Sequence, residues 1–186
     1  MAVKTMAKNT GTGQYNAGWH ELTISKATDV QWNDKRAIDL NFEGYPDNMR
    51  HRVFEASNKT TGEEFKIANL FRFACAGIIS VLQDPTGKNP VIQYDDEVTN
   101  LVGTRVNVYF VKEASTTDGK EYSRTFDLVP VAQETEHITW TDDDVARLKS
   151  GVEKQHAKKT ATTVNGVGTV NLDTTTTVAG DAEIPF

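Results

Sequence analysis

The chain has 186 residues, 38% of them apolar, and a formal net charge of −6, which allows one domain of ordinary size and a tail. Its single cysteine, Cys75, excludes an intrachain disulfide and fits a reducing compartment. The uncharged part of the most apolar stretch, 73–82, is too short to cross a bilayer. A binder of duplex DNA that relied on phosphate contacts would be basic, so the acidic total disfavours that class.

The charge is unevenly distributed. All 20 Lys and Arg residues lie at or before Lys159, whereas 160–186 hold three of the 26 acidic side chains, so residues 1–159 have a net charge of −3. A domain with local basic patches and an acidic tail is still compatible with DNA binding. The first residues contain no apolar signal segment, and we expect a cytoplasmic protein, in the host cytoplasm if a phage encodes it.

The first half of the chain predicts strands. Residues 1–17 are polar and are predicted to form a flexible arm. Apolar residues then alternate at period two in three segments that are separated by turn-forming residues, which indicates an antiparallel meander. The predicted strands are 18–30, 36–42 and 49–56.

A helix is predicted next, because the period of apolar residues changes after residue 60. Thr61 and Glu64 have the spacing of a capping box. The broad apolar surface of 65–82 predicts one largely buried helix. Residues 84–90 contain two prolines and a glycine and predict a loop.

The second half predicts a hairpin and another helix. A short helix is expected over 96–102, before Gly103. Two strands follow, 104–111 and 122–129, joined by a polar loop. The acidic residues after Thr141 predict the start of a helix over 141–157. Residues 158–186 are poor in large apolar groups, and we expect a disordered linker with an acidic tail.

This order of elements is typical of an OB-fold. That fold is a mainly β, five-stranded antiparallel barrel with a helix between strands three and four. We therefore predict one OB-fold domain over 18–157, with 141–157 as an appended helix.

No catalytic or metal-binding pattern stands out. Lys88 lacks the glycine and Ser/Thr positions of a phosphate-binding loop. The four histidines are not spaced as metal ligands with Cys75. The acidic clusters at 95–97 and 142–144 lie where helices are predicted to start, where they complement the helix dipole. We expect a protein that is not an enzyme and uses no cofactor or metal.

Single-stranded DNA binding requires aromatic faces for bases and cations for phosphates, and both occur near the predicted turns. The alternative to base stacking for the phenylalanines, Phe54 among them, is a place in the barrel core. For the arginines, a solvated strand face and a phosphate-binding role fit the sequence about equally. The predicted DNA-binding residues are Trp32, Lys35, Arg36, Tyr45, Arg50, Arg52, Phe54, Tyr109, Lys112, Lys120, Tyr122 and Arg124.

The last six residues form the most specific motif, with two carboxylates ahead of an apolar Ile-Pro-Phe end. The residues predicted to dock a partner are Asp181, Glu183, Ile184, Pro185 and Phe186. Here the chain resembles bacterial and phage single-stranded DNA-binding proteins, whose mobile acidic tails end in much the same way. The sequence departs from the bacterial pattern in having only two acidic side chains near the tip and an extra helix.

The resemblance implies a protein that coats and protects single-stranded DNA during phage DNA replication, recombination or repair. In that family the tail competes with DNA for the groove and recruits replication proteins, such as a polymerase, helicase or primase. Two alternatives are an OB-like adaptor that binds only proteins and a strand-annealing recombination protein. A homodimer remains open, and no membrane partner is expected.

Overall fold

The computed structural model describes residues 15–82, 91–115 and 117–164. Strands predominate in this part of the chain, which confirms the mainly β prediction. In chain order the elements are β1 Gly18–Trp32, β2 Lys35–Phe42, β3 Arg50–Phe54, α1 Lys66–Ala74, β4 Ile78–Leu82, β5 Val91–Tyr94, a 3₁₀ turn Val98–Leu101, β6 Arg105–Ala114, β7 Glu121–Pro130, β8 Gln133–Glu134, β9 Thr139–Trp140 and α2 Asp142–Val164.

Five strands form one antiparallel sheet in the order β3-β2-β1-β6-β7. The 15-residue strand β1 holds the sheet together, because its first part pairs with β6 and its second part pairs with β2. The change of partner falls between Thr23 and Ile24, and a bulge between Ile24 and Lys26 follows it directly. Bulges bend a strand and increase its twist. The bend allows β1 to form hydrogen bonds with β6 along its first part and with β2 along its second part.

The core lies on one side of this sheet and follows its period of two. On β2, Ile38, Leu40 and Phe42 are buried, and on β6 the same alternation applies to Val106, Val108 and Phe110. Helix α1 covers this side with Ile67, Leu70 and Phe71. The side chains between these positions point to the other side of the sheet, which we call the outer face.

The sheet is not closed by strand pairing. Strands β3 and β7 are its two edges, and they approach each other where the Thr125 hydroxyl donates a hydrogen bond of 3.2 Å to the Arg50 carbonyl. The predicted antiparallel sheet is therefore confirmed, whereas a closed barrel is not seen in the described residues.

The prediction of one helix over 65–82 is wrong in its second half. Helix α1 ends at Ala74, and Cys75 adopts a left-handed conformation with φ of 50°. Residues 78–82 form β4, which pairs with β5 in a separate two-stranded sheet. A short apolar run of β-branched residues fits a strand as well as a buried helix, and periodicity alone cannot separate them. Ile79 on β4 is in fact exposed.

The predicted capping box at Thr61 is also wrong. The Glu64 carboxylate accepts hydrogen bonds from the backbone N–H groups of Ile67, at 2.7 Å, and Ala68, at 2.9 Å. Glu64 therefore caps the first turn of α1 from two residues before Lys66, while the Thr61 hydroxyl accepts from Glu63 N–H in the preceding turn. A carboxylate at this place complements the helix dipole.

Helix α2 starts as predicted and ends later. Thr141 and Asp144 form a reciprocal cap: the Thr141 hydroxyl accepts from Asp144 N–H at 3.2 Å, and the Asp144 carboxylate accepts from Thr141 N–H at 3.3 Å. The helix continues past the predicted end at 157 to Val164, so 158–164 are helical rather than part of a disordered linker. Of the helices in the described ranges, none combines the length and apolar character needed to cross a membrane.

Candidate nucleic-acid interface

The outer face of the β1–β2–β3 meander brings several predicted site residues together. Cross-strand partners place Thr28 opposite Asp39 and Asp39 opposite Arg52. Because side chains alternate along a strand, every second residue shares this side. We call this surface the meander face, and its side chains are Lys26, Thr28, Val30, Trp32, Lys35, Ala37, Asp39, Asn41, Arg50, Arg52 and Phe54.

An aromatic and cationic cluster lies at one end of the meander face. The Arg52 guanidinium carbon is 4.7 Å from the centre of the Trp32 ring and 6.0 Å from that of Phe54. Trp32 is 51% exposed and Phe54 is 39% exposed, so both rings keep surface open to solvent. Large exposed aromatic residues beside a cation are typical of sites that stack nucleobases.

The turn between β1 and β2 positions Trp32. Asn33 and Asp34 both have positive φ, 49° and 61°, as a type I′ turn requires of its two central residues. Asn and Asp tolerate this conformation better than most residues. The two-residue turn places Trp32 directly opposite Lys35, so the hairpin end carries an aromatic ring and a cation side by side.

Asp39 fixes the arginines of the meander face. Its carboxylate accepts two hydrogen bonds from the Arg52 guanidinium, at 2.6 and 2.7 Å, and lies 3.2 Å from Arg50 Nε. The hydrogen bonds from Arg52 hold the pKa of Asp39 below its ordinary value. Bidentate pairs of this kind set the orientation of the guanidinium, and Arg52 is thereby held against the two rings.

An open pocket of about 290 Å³ occupies the other end of the meander face. Asn41 Nδ2 donates to the Asp47 carbonyl at 3.0 Å and closes one side. Arg50, with a half-exposed side chain, supplies a cation at the rim. The lining residues are Lys26, Thr28, Asp39, Asn41, Asp47 and Arg50.

The sequence analysis did not predict the pocket residues other than Arg50. Lys26, Thr28 and Asn41 are single polar residues in strand segments, where a solvated position is the ordinary reading. The alternation of β2 places Asn41 on the same side as Lys35. The bulge after Ile24 shifts the alternation of β1, however, and no sequence pattern indicated that bulge.

A second group of predicted residues lies on the β6–β7 hairpin. Lys112, Lys120 and Tyr122 are exposed near its loop. The Tyr122 hydroxyl donates to the Asp118 carboxylate at 2.6 Å, which raises the pKa of Tyr122. Arg124 is 3.4 Å from the Glu113 carboxylate, and both are exposed. Tyr122 is held in place by its hydrogen bond, while its ring remains accessible.

Three predicted residues are engaged elsewhere. Arg36 lies on the side of β2 opposite the meander face and pairs with Asp29 at 2.7 Å and with Asp96, which raises its pKa. Tyr45 packs against Phe110 of the core, and burial raises its pKa. These contacts take Arg36 and Tyr45 out of the candidate interface.

Tyr109, the third, lies on the outer face of β6 under helix α2. Its ring centre is 5.8 Å from that of His156 on the helix and 4.9 Å from that of Trp19. The predicted tail residues, Asp181 to Phe186, lie outside the described residues.

Neither protein-family models nor the curated proteins contain a match to this chain. Within the described ranges, no group of three His, Cys, Asp or Glu side chains is placed to hold a metal ion.

Proposed function

We propose that this protein binds single-stranded DNA through the meander face, with little sequence preference, as part of DNA replication, recombination or repair. The observation that carries the proposal is the cluster of Trp32, Arg52 and Phe54, in which two exposed rings flank an oriented guanidinium. The rings stack successive bases, and the cations along the strands follow the phosphates.

The charge on the meander face supports this role in an acidic protein. Among the meander-face side chains, four cations (Lys26, Lys35, Arg50 and Arg52) outnumber the carboxylates of Asp39 and the adjoining Asp47, so the face is locally basic although the chain carries −6. A local positive field is sufficient to attract a polyanion when the opposing charge lies elsewhere. Half of the acidic excess comes from 160–186.

The strand order supports an OB-type barrel as the scaffold. With β6 and β7 taken as the fourth and fifth strands, the order β3-β2-β1-β6-β7 is that of an OB-fold opened between its third and fifth strands. The contact between Thr125 and Arg50 bridges that opening. OB-folds bind nucleic acid on their second and third strands and on the loops beside them, which here correspond to β2, β3 and the adjoining turns.

Fluorescence anisotropy with an oligothymidylate over a salt series tests the proposal. We expect Trp32→Ala and Phe54→Ala each to weaken binding about tenfold, since stacking contributes roughly 1–3 kcal/mol per base. Phe65→Ala is the matched control, because Phe65 is 44% exposed and lies outside the meander face. Unchanged affinity in both face variants, or no binding at low salt, would refute the proposal.

We also propose, from the sequence alone, that Asp181–Phe186 docks replication proteins. Two carboxylates followed by Ile-Pro-Phe fit a basic pocket with an apolar slot, and Pro185 lowers the entropy cost of ordering the segment. A pull-down of a candidate polymerase, helicase or primase with and without these residues tests this part. Equal recovery in both cases would refute it.

A further inference from the structure

A second aromatic cluster lies on the outer face, at the far end of β1 from Trp32. Trp19 on β1 and Tyr109 on β6 are direct cross-strand partners, with ring centres 4.9 Å apart. Phe126 on β7 follows, 6.3 Å from Tyr109. We call these three side chains the covered aromatic face, because helix α2 lies across them.

The contacts of α2 with this face are mainly polar and cationic. The Trp19 indole N–H donates to the Glu153 carboxylate at 2.8 Å. His156 lies 5.0 Å from the Phe126 ring, edge to face. Lys149 Nζ is 5.4 Å from the Trp19 ring and Lys159 Nζ is 5.3 Å from the Phe126 ring. Lysines over aromatic rings at exposed sites contribute little to stability.

Among the described side chains of α2, buried apolar packing ends at Val152. Val145 and Val152 are buried, whereas no residue of 153–160 is buried. The start is further fixed by the reciprocal cap at Thr141 and Asp144. Helices in globular proteins are held mainly by an apolar stripe. The part of α2 that covers Tyr109 and Phe126 lacks such a stripe.

Gly151 lies one residue before Val152, the last buried residue of 142–160. It is exposed, and a Cβ added there would meet nothing within 4 Å, so packing does not require a glycine. Glycine in a helix interior lowers helix stability relative to alanine. The weakest point of the helix backbone therefore lies just before its weakly held part.

We propose that α2 beyond Val152 is a displaceable cover, and that the covered aromatic face is a second surface that binds the bases of single-stranded nucleic acid. The ring faces now beneath Lys159 and His156 become available to bases when the cover leaves. Lysines 154, 158 and 159 remain tethered nearby to meet phosphates. The choice of ligand rests on the proposed function, whereas the displacement of the helix is independent of it.

Hydrogen exchange on the full chain tests the displacement directly. We expect an oligothymidylate of about 20 nucleotides to speed backbone exchange in 153–164, while one of about 6 nucleotides, near the lower limit for one such domain, leaves it unchanged. An unchanged or slower exchange in 153–164 with the long strand would overturn the proposal.

Two variants test the binding role. Combined Tyr109→Leu and Phe126→Leu replacement keeps both side chains apolar and removes the aromatic faces, so we expect about tenfold weaker binding of the long strand and no change with the short one. Gly151→Ala should weaken only long-strand binding, by about fivefold, as it stiffens the cover.

The same measurements separate this inference from the proposed function. Short-strand binding that is insensitive to Trp32→Ala counts against the meander face. Unchanged long-strand affinity in the leucine variant, with Trp32→Ala still harmful, overturns the second surface alone.

Discussion

At the scale of single residues, the buried side chains of the sheet determine how stability responds to pH. His51 on β3 is 7% exposed and faces the core. Burial holds its pKa below the ordinary value of a histidine, and the nearby Lys66 lowers it further while Asp127 opposes the shift. The folded protein therefore binds this proton less readily than the unfolded chain.

The sign of the pH effect follows from that difference. The contribution of neutral His51 to the unfolding free energy is fully present above the pKa of an unfolded histidine, about 6.5. It is lost as the pH falls below that value towards the lower pKa of the folded state. We expect the melting temperature to be level above about pH 7 and to fall towards pH 5. His51→Leu should flatten this interval, whereas His137→Gln, at an exposed position, should not. Thermal unfolding across pH measures both, and an unaltered slope in His51→Leu would contradict the assignment.

Asp39 is expected to influence stability and DNA affinity in opposite directions. Asp39→Asn removes the charged acceptor of Arg52 and should cost about 2 kcal/mol of unfolding free energy. It also removes a negative charge from the meander face, so single-strand affinity should rise at low salt.

Asp47→Asn is the charge-matched control for Asp39→Asn. Its side chain is exposed, and only its carbonyl is used by Asn41. We expect a similar gain in affinity with little loss of stability. Chemical denaturation and anisotropy measure the two effects. A loss of affinity in both variants would contradict a phosphate-binding role for this face.

At the scale of elements, the junction between α1 and β4 depends on Gly77. Gly77 has φ of 62°, and a Cβ there would lie 2.3 Å from the Asp95 carbonyl oxygen. Gly119 has a similar φ of 67° but open space around it. Both Gly→Ala variants carry the strain of positive φ, roughly 1 kcal/mol, and only Gly77→Ala adds a clash.

We therefore expect Gly77→Ala to lower the unfolding free energy by about 2 kcal/mol more than Gly119→Ala. Denaturant titration of the two variants measures the difference. Equal losses would mean that the backbone at Asp95 relaxes freely and that the close approach does not fix the β4–β5 hairpin.

At the scale of the whole molecule, the separation of charge along the chain should affect binding. Residues 160–186 contain acidic side chains and no basic ones, so they oppose a polyanion. Deletion of Asp181–Phe186 should leave single-strand affinity equal or higher without lowering its sensitivity to salt, because the segment carries no cation that could bind a phosphate. Anisotropy of the truncated and full chains measures this, and a marked loss of affinity would contradict the expectation.

The sequence by itself determined the local structure where one physical signal dominated. Alternating apolar residues with short turns predicted the meander of β1, β2 and β3, since side chains must alternate between core and solvent. The cap at Thr141 predicted the start of α2 for a similarly local reason. Trp32, Arg52 and Phe54 were predicted as site residues from their type and their place near turns.

Only the tertiary structure decided which of the predicted residues share a surface. Arg36 and Tyr45 have the same chemistry as residues of the meander face. Arg36, however, forms ion pairs with Asp29 and Asp96, and Tyr45 packs against Phe110 of the core. The β1 bulge and the end of α1 at Ala74 were likewise not predictable from the sequence pattern. Partners distant in the chain supply these constraints, so no window of local sequence contains them.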